Sequence, residues 1–319
     1  MSTSKKNTQK STHRHPWQLL FVKGFAMGSA DIVPGVSGGT IAFIVGIYQD
    51  LITSINTLTS TTLKLFLQLK WKEAWRSIPF GFLLPLGIGI IAAIALLTSL
   101  IAHLLATYPV FVWSFFFGLI CASIFLIGKK LGSWTVQDVV VLCLSAGVAY
   151  WISGAVPSQT PDTPTAYFLA GMIAICAMIL PGVSGSFLLI LMGKYQQILV
   201  AVNTLDLMTL ATFMAGAVLG LVSFAKVLGY LFEHHYRVVI AALTGFMLGS
   251  LRKVWPWKET LETYTDSHGE VIPLVQHNVL PTTLDAGVIG AVVLACVGMG
   301  LIVLLDRSSD SSTSGKSEF

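Results

Sequence analysis

Charge is what this sequence has least of: acidic and basic residues make up 11% of 319 positions against 54% hydrophobic, and mean hydropathy is +0.77. That scarcity excludes a water-soluble globular domain, which needs about a quarter of its residues charged. Residues 77–128 contain no Asp, Glu, Lys or Arg, and this run of 52 residues is interrupted only by Tyr108-Pro109. At about 20 residues per crossing, it predicts two transmembrane helices joined by a tight turn. Cysteine is scarce as well. Cys121, Cys143, Cys176 and Cys296 stand singly in apolar stretches, without disulfide or metal-site spacing, and read as small packing residues. No clustered His, Asp and Arg set offers a nucleophile, a base and charge stabilisation, so the pattern speaks against an enzyme and calls for no metal and no organic cofactor. The formal charge of +4 is concentrated in loops, where it sets membrane orientation rather than nucleic-acid binding.

What the chain does have is an internal repeat. ADIVPGVSGGTIAFIVGIYQ early in the sequence returns as AICAMILPGVSGSFLLILMGKYQ, and Pro34 with Pro181, Gly46 with Gly193, Tyr48 with Tyr195 and Asn56 with Asn203 all lie 147 residues apart. Between a basic tail at 1–16 and a second tail at 307–319, both expected to be cytoplasmic, two halves follow. Repeat 1 (17–157) comprises a hairpin over 17–54 and transmembrane helices at 80–105, 109–128 and 136–154. Repeat 2 (165–306) comprises a hairpin over 165–203 and helices at 207–232, 237–254 and 284–305. The expected fold is therefore an all-α polytopic membrane protein built from two repeats. Each half crosses an odd number of times, so the repeats must be inverted. With the N-terminus inside, 13 of the 19 basic residues fall on the cytoplasmic side and three, Arg252, Lys253 and Lys258, in one outside loop, as the positive-inside rule asks. Charge bias does not decide whether the hairpin arms re-enter or span. Pro34-Gly35 and Pro181-Gly182 break their helices inside apolar stretches, which favours re-entry, because irregular backbone at that depth must be buried in protein or line a wet cavity.

The residues after each proline carry the candidate chemistry. Gly35, Val36, Ser37, Gly38, Gly39 and Thr40 in the first turn, and Gly182, Val183, Ser184, Gly185 and Ser186 in the second, present small side chains, hydroxyls and the free amides of a new helix, which suit an anion such as phosphate. The competing reading is close helix packing through small residues. Asp31 sits three residues before the first turn, where the second half has Met178. A carboxylate in hydrocarbon is a functional candidate, here for coupling to H⁺ or Na⁺, with pairing to Lys23 or local bracing of the turn as alternatives. Lys226 either neutralises a phosphate or snorkels to the headgroups, and Lys194 is expected at the outer interface.

The doubled motif, GSADIVPGVSGGTIAFIVGIY at 28–48 and AMILPGVSGSFLLILMGKY at 177–195, resembles that of a bacterial and archaeal family of polyprenyl-phosphate transporters of the PopT type, formerly a membrane domain of unknown function. The resemblance covers about 17–305. It implies a multi-pass protein of the cytoplasmic membrane whose partner is a polyprenyl-phosphate lipid, undecaprenyl phosphate above all, returned to the inner leaflet for cell-envelope polymer synthesis. A channel or carrier for a small soluble anion is the alternative that the residues alone leave open. Oligomeric state is not legible. Met178 in place of Asp31 and Phe187 in place of Thr40 confine any ion coupling to the first hairpin.

Overall fold

The computed structural model describes residues 16–33, 36–158, 160–265 and 271–314. The first half opens with α1 (Trp17–Asp31), the half-helix α2 (Gly38–Ile44) and α3 (Tyr48–Asn56). A π-helical stretch at Thr57–Thr62 leads into the short α4 (Leu63–Leu67) and α5 (Trp71–Ser77), and three long helices follow, α6 (Phe80–Thr107), α7 (Pro109–Lys130) and α8 (Val136–Ser153). The second half repeats the order with α9 (Pro164–Ile179), α10 (Gly185–Leu191), α11 (Tyr195–Thr204), α12 (Leu207–His234), α13 (Tyr236–Val254) and α14 (Ala286–Ser314). An antiparallel hairpin of β1 (Lys258–Thr265) and β2 (Val271–Asn278) is inserted before α14, in what the sequence offered only as a loop. The architecture is otherwise all-α and polytopic.

Among the described residues five helices, α6, α7, α8, α12 and α14, are long and apolar enough to cross a membrane. α6 and α12 each have 28 residues, about 42 Å at 1.5 Å per residue, so they exceed a hydrocarbon core of about 30 Å and must tilt. α13 is shorter and carries Arg237, Arg252 and Lys253 at its ends, yet its middle is well buried, with Ile240, Ala241, Leu243, Thr244 and Met247 nearly inaccessible. It packs on α8 and α7. Arg237 also donates at 2.6 Å to buried Asp138, which closes a capping box with Thr135 at the start of α8.

The hairpins over 17–54 and 165–203 differ from the single break expected in each. Each breaks a second time, bending by 117° between α2 and the helix that starts at Tyr48, and by 103° between α10 and α11. The cause is a repeated C-cap. Gly46 (φ +73°) and Gly193 (φ +64°) take the left-handed conformation. Their amides donate to Phe43 O and Ile190 O, and the next amides, of Ile47 and Lys194, donate to Ala42 O and Leu189 O. That is a Schellman closure, which ends a helix and needs glycine at the turn.

Small residues let the helix backbones touch. In the first half Gly24 of α1 faces Leu86 O of α6, and in the second half Gly171 of α9 faces Phe213 O of α12, the same contact one repeat later. Across the halves, Gly118 of α7 lies against Ala295 of α14 while Gly245 of α13 lies against Ser145 of α8. The second helix of each half thus holds the third helix of the other. A Cβ at Gly24 or Gly171 would collide with backbone, whereas one at Gly147 meets nothing within 4 Å. Gly24→Leu and Gly171→Leu are therefore expected to destabilise the detergent-purified protein by about 1–3 kcal/mol or prevent its folding. Gly147→Leu should melt with the parent, and equal melting temperatures for all three would refute this packing.

Candidate functional site

Hydrocarbon offers no partner for backbone amides, so a helix that begins inside it must find its own. Of the first turn, Pro34 and the candidate Gly35 lie outside the described residues. Of the early amides, those of Val36, Gly38, Gly39 and Thr40 are engaged. Val36 N–H donates to Val33 O at 3.1 Å and Thr40 N–H to Ser37 O at 2.8 Å. Gly38 N–H donates to Asp31 Oδ1 at 2.6 Å, and Gly39 N–H to Ser37 Oγ at 3.1 Å, Ser37 standing as the N-cap of α2. At the other end of α2, the C-cap carbonyl of Val45 accepts from buried Lys23 Nζ at 2.8 Å. Acid at the amino end and ammonium at the carboxyl end are the signs a helix dipole favours.

The second turn is brought against the first. Ser37 Oγ donates to Met178 O at 3.0 Å, and Tyr48 Oη to Ile179 O at 3.1 Å, satisfying the last turn of α9. In return Gly182 N–H donates to Thr40 Oγ1 at 2.8 Å. Gly182 has φ +90°, and a side chain there would press on Phe246 O and Ser250 Oγ, so glycine is required twice over. Ser37, Thr40, Val36, Val183, Ser184 and Gly185 are buried, while Ser186 is exposed.

The turns are equal in sequence and unequal in bonding. Ser184 does not cap α10; its Oγ lies 2.9 Å from Ser186 Oγ. The amides of Gly185, Ser186 and Phe187 find no acceptor among the described residues. The positions that match Asp31 and Lys23 are Met178 and Ala170. Beside this second turn runs an apolar groove of about 420 Å³, bordered by Val183, Leu188, Phe246, Met172, Phe224 and Ile152. Val148, Ile173 and Val227, which also line it, are exposed on the surface of the molecule.

A family profile described as undecaprenyl phosphate translocase-like matches residues 27–272, which include both turns, the groove and all but the last of the long helices. The chain belongs to that family. Among curated proteins, this translocase-like chain is 42% identical over 296 residues to the polyprenyl-phosphate transporter of Vibrio cholerae, covering 91% of this chain and 96% of the relative. It is 34% identical over 258 residues to the polyprenyl-phosphate transporter of Staphylococcus aureus, covering 75% and 86%. No solved structure matches.

The remaining candidates of this translocase-like chain fall elsewhere than the sequence suggests. Asp31 does not meet Lys23, since each is bound to a different end of α2. Lys226 is exposed on α12, next to Ala225, whose carbonyl accepts from Asn56, and it is joined to neither turn. Lys194, expected at the interface, is fully buried, donating to Thr160 O at 3.0 Å and pairing with Asp162. It ties the loop before α9 to the start of α11, a role that spacing within one helix cannot reveal.

Asp31 thus braces the first turn through Gly38, and its coupling to an ion is a separate question for experiment. Asp31→Ala should lower the stability of the purified protein by about 0.5–2 kcal/mol, the range of a lost N-cap, and Asp31→Asn, which keeps an acceptor, by less. If the bond is only structural, transport by Asp31→Asn should respond to an imposed pH or Na⁺ gradient as the parent does. Loss of that response with stability intact would return Asp31 to a coupling role.

Proposed function

We propose that this chain is a transporter of a polyprenyl phosphate, which it returns across the cytoplasmic membrane for envelope-polymer synthesis, without chemical conversion. One observation carries the reading: identity of 42% to a polyprenyl-phosphate transporter, spread over 91% of the chain. The groove supports it. Its walls are almost wholly apolar and it borders the second turn, so a polyprenyl tail can stay in hydrocarbon while the head moves through protein. In this reading the paired turns, with Ser37, Thr40, Gly182, Ser184 and Ser186, form the gate that the phosphate passes.

The halves are read as inverted, with hairpins entering from opposite faces and both termini cytoplasmic. Two features support this. α1 and α9 have 15 and 16 residues, about 22–24 Å, short of the core thickness, and the seven-residue half-helices are far shorter. The reciprocal packing of α7 on α14 and α13 on α8 is also what a twofold relation between halves produces.

Orientation is checked by single cysteines in a cysteine-free background: one at exposed Ser158 should label from outside the cell and one at exposed Ser133 should not, and outside labelling at Ser133 would sink the inverted arrangement. For the substrate, the protein is reconstituted in liposomes containing a polyprenyl phosphate, and the lipid still open to added phosphatase is measured. With protein, essentially all of it should become accessible over time, against about half in protein-free vesicles, and inorganic phosphate should not enter. Phosphate entry without lipid movement would support the soluble-anion carrier instead.

A further inference from the structure

Arg252, Lys253 and Lys258 belong to the segment that charge bias reads as an outside loop, yet two of the three turn inward. Lys253, in the last turn of α13, holds Nζ 4.2 Å from the ring centroid of Phe187, on the first turn of α10. Lys258, at the start of β1, donates to Lys253 O at 2.6 Å and lies 3.7 Å from the Trp113 centroid near the start of α7. Both side chains are only partly accessible. Neither has a carboxylate partner among the described residues, whereas Lys194, Arg237 and Lys70 each do. Glu259 follows Lys258 directly on the strand and so projects to its opposite face.

Two partly buried ammonium groups without a counter-charge are costly. Burial, and then the Lys253 charge, bring the pKa of Lys258 down to about 7. An anion between them would reverse both penalties. The donors for one are at hand: Lys253 Nζ makes no hydrogen bond among the described residues, and Lys258 Nζ spends one N–H of three. The aromatic faces beneath them favour cations without competing as acceptors. The location also fits a lipid. Phe246, which borders the apolar groove, precedes Lys253 by seven residues, two turns along one face of α13.

We propose that Lys253 and Lys258 form a receiving site for a phosphate monoester beside the second turn, at the head end of the groove. This rests on the transport reading for its lipid, and deepens it by assigning the cations that meet the phosphate head. Purified parent, Lys253→Gln, Lys258→Gln and the double variant would be titrated with farnesyl phosphate, farnesol and inorganic phosphate. The parent is expected to bind farnesyl phosphate well above farnesol, each single change to weaken it roughly tenfold, and the double change more, with the corresponding Arg variants recovering most of the loss. A double Gln variant that melts like the parent and binds farnesyl phosphate equally well overturns the site while leaving transport untouched. Equal binding of inorganic phosphate keeps the site and overturns its lipid ligand. In the unmutated protein, farnesyl phosphate and not farnesol should slow labelling of Lys253 and Lys258 by an amine reagent, read by mass spectrometry; unaltered labelling at saturation also overturns the proposal.

Discussion

A helix that stops inside the body of a protein leaves its end groups with nothing to bind unless the protein supplies partners, and the paired turns of this molecule are arranged around that requirement. α2 is held at its amino end by Asp31 and Ser37 and at its carboxyl end by Lys23. The carbonyls that α9 leaves open at Met178 and Ile179 are taken by Ser37 and Tyr48 of the other half. Each break is stable only because the other is present, so the two hairpins form one unit although 147 residues separate them in sequence.

The pairing is lopsided. The first half-helix has acquired an acid and a base at its ends; the second has Met178 and Ala170 there and leaves three amides without acceptors. Nothing about duplication requires this, because two identical closed turns would pack as well. The difference makes the first hairpin the anchor and concentrates unspent donors at the second, on the side where Phe187, Lys253 and the apolar groove converge.

Much of this was legible beforehand, for a physical reason. Long apolar runs and a doubled motif are local signals, and they point to the helices now seen as α6, α7, α8, α12 and α14 and to the two PGVSG turns as matching breaks. The second break at Gly46 and Gly193 was also written locally, as a glycine two residues before a Tyr-Gln pair, but inside an apolar stretch it reads as continuous helix until φ is known. The inward lysines, the burial of Lys194 and the true partners of Asp31 were not legible. Each depends on which distant element stands opposite, and a side chain's own segment does not record that. The β-hairpin sits among charges that a hydropathy scan treats as loop.

The glycine contacts that seat α1 on α6 and α9 on α12 have a mechanical corollary. Backbones in direct touch cannot slide past one another without opening a void, so each arm and its long helix behave as one stiff strut. Beyond the strut, each half has a seven-residue piece hung between two sharp corners, the turn on one side and the glycine bend on the other. The corners, and not the struts, therefore set the direction of each short piece, so a substitution at either corner would re-aim it while the struts stay still.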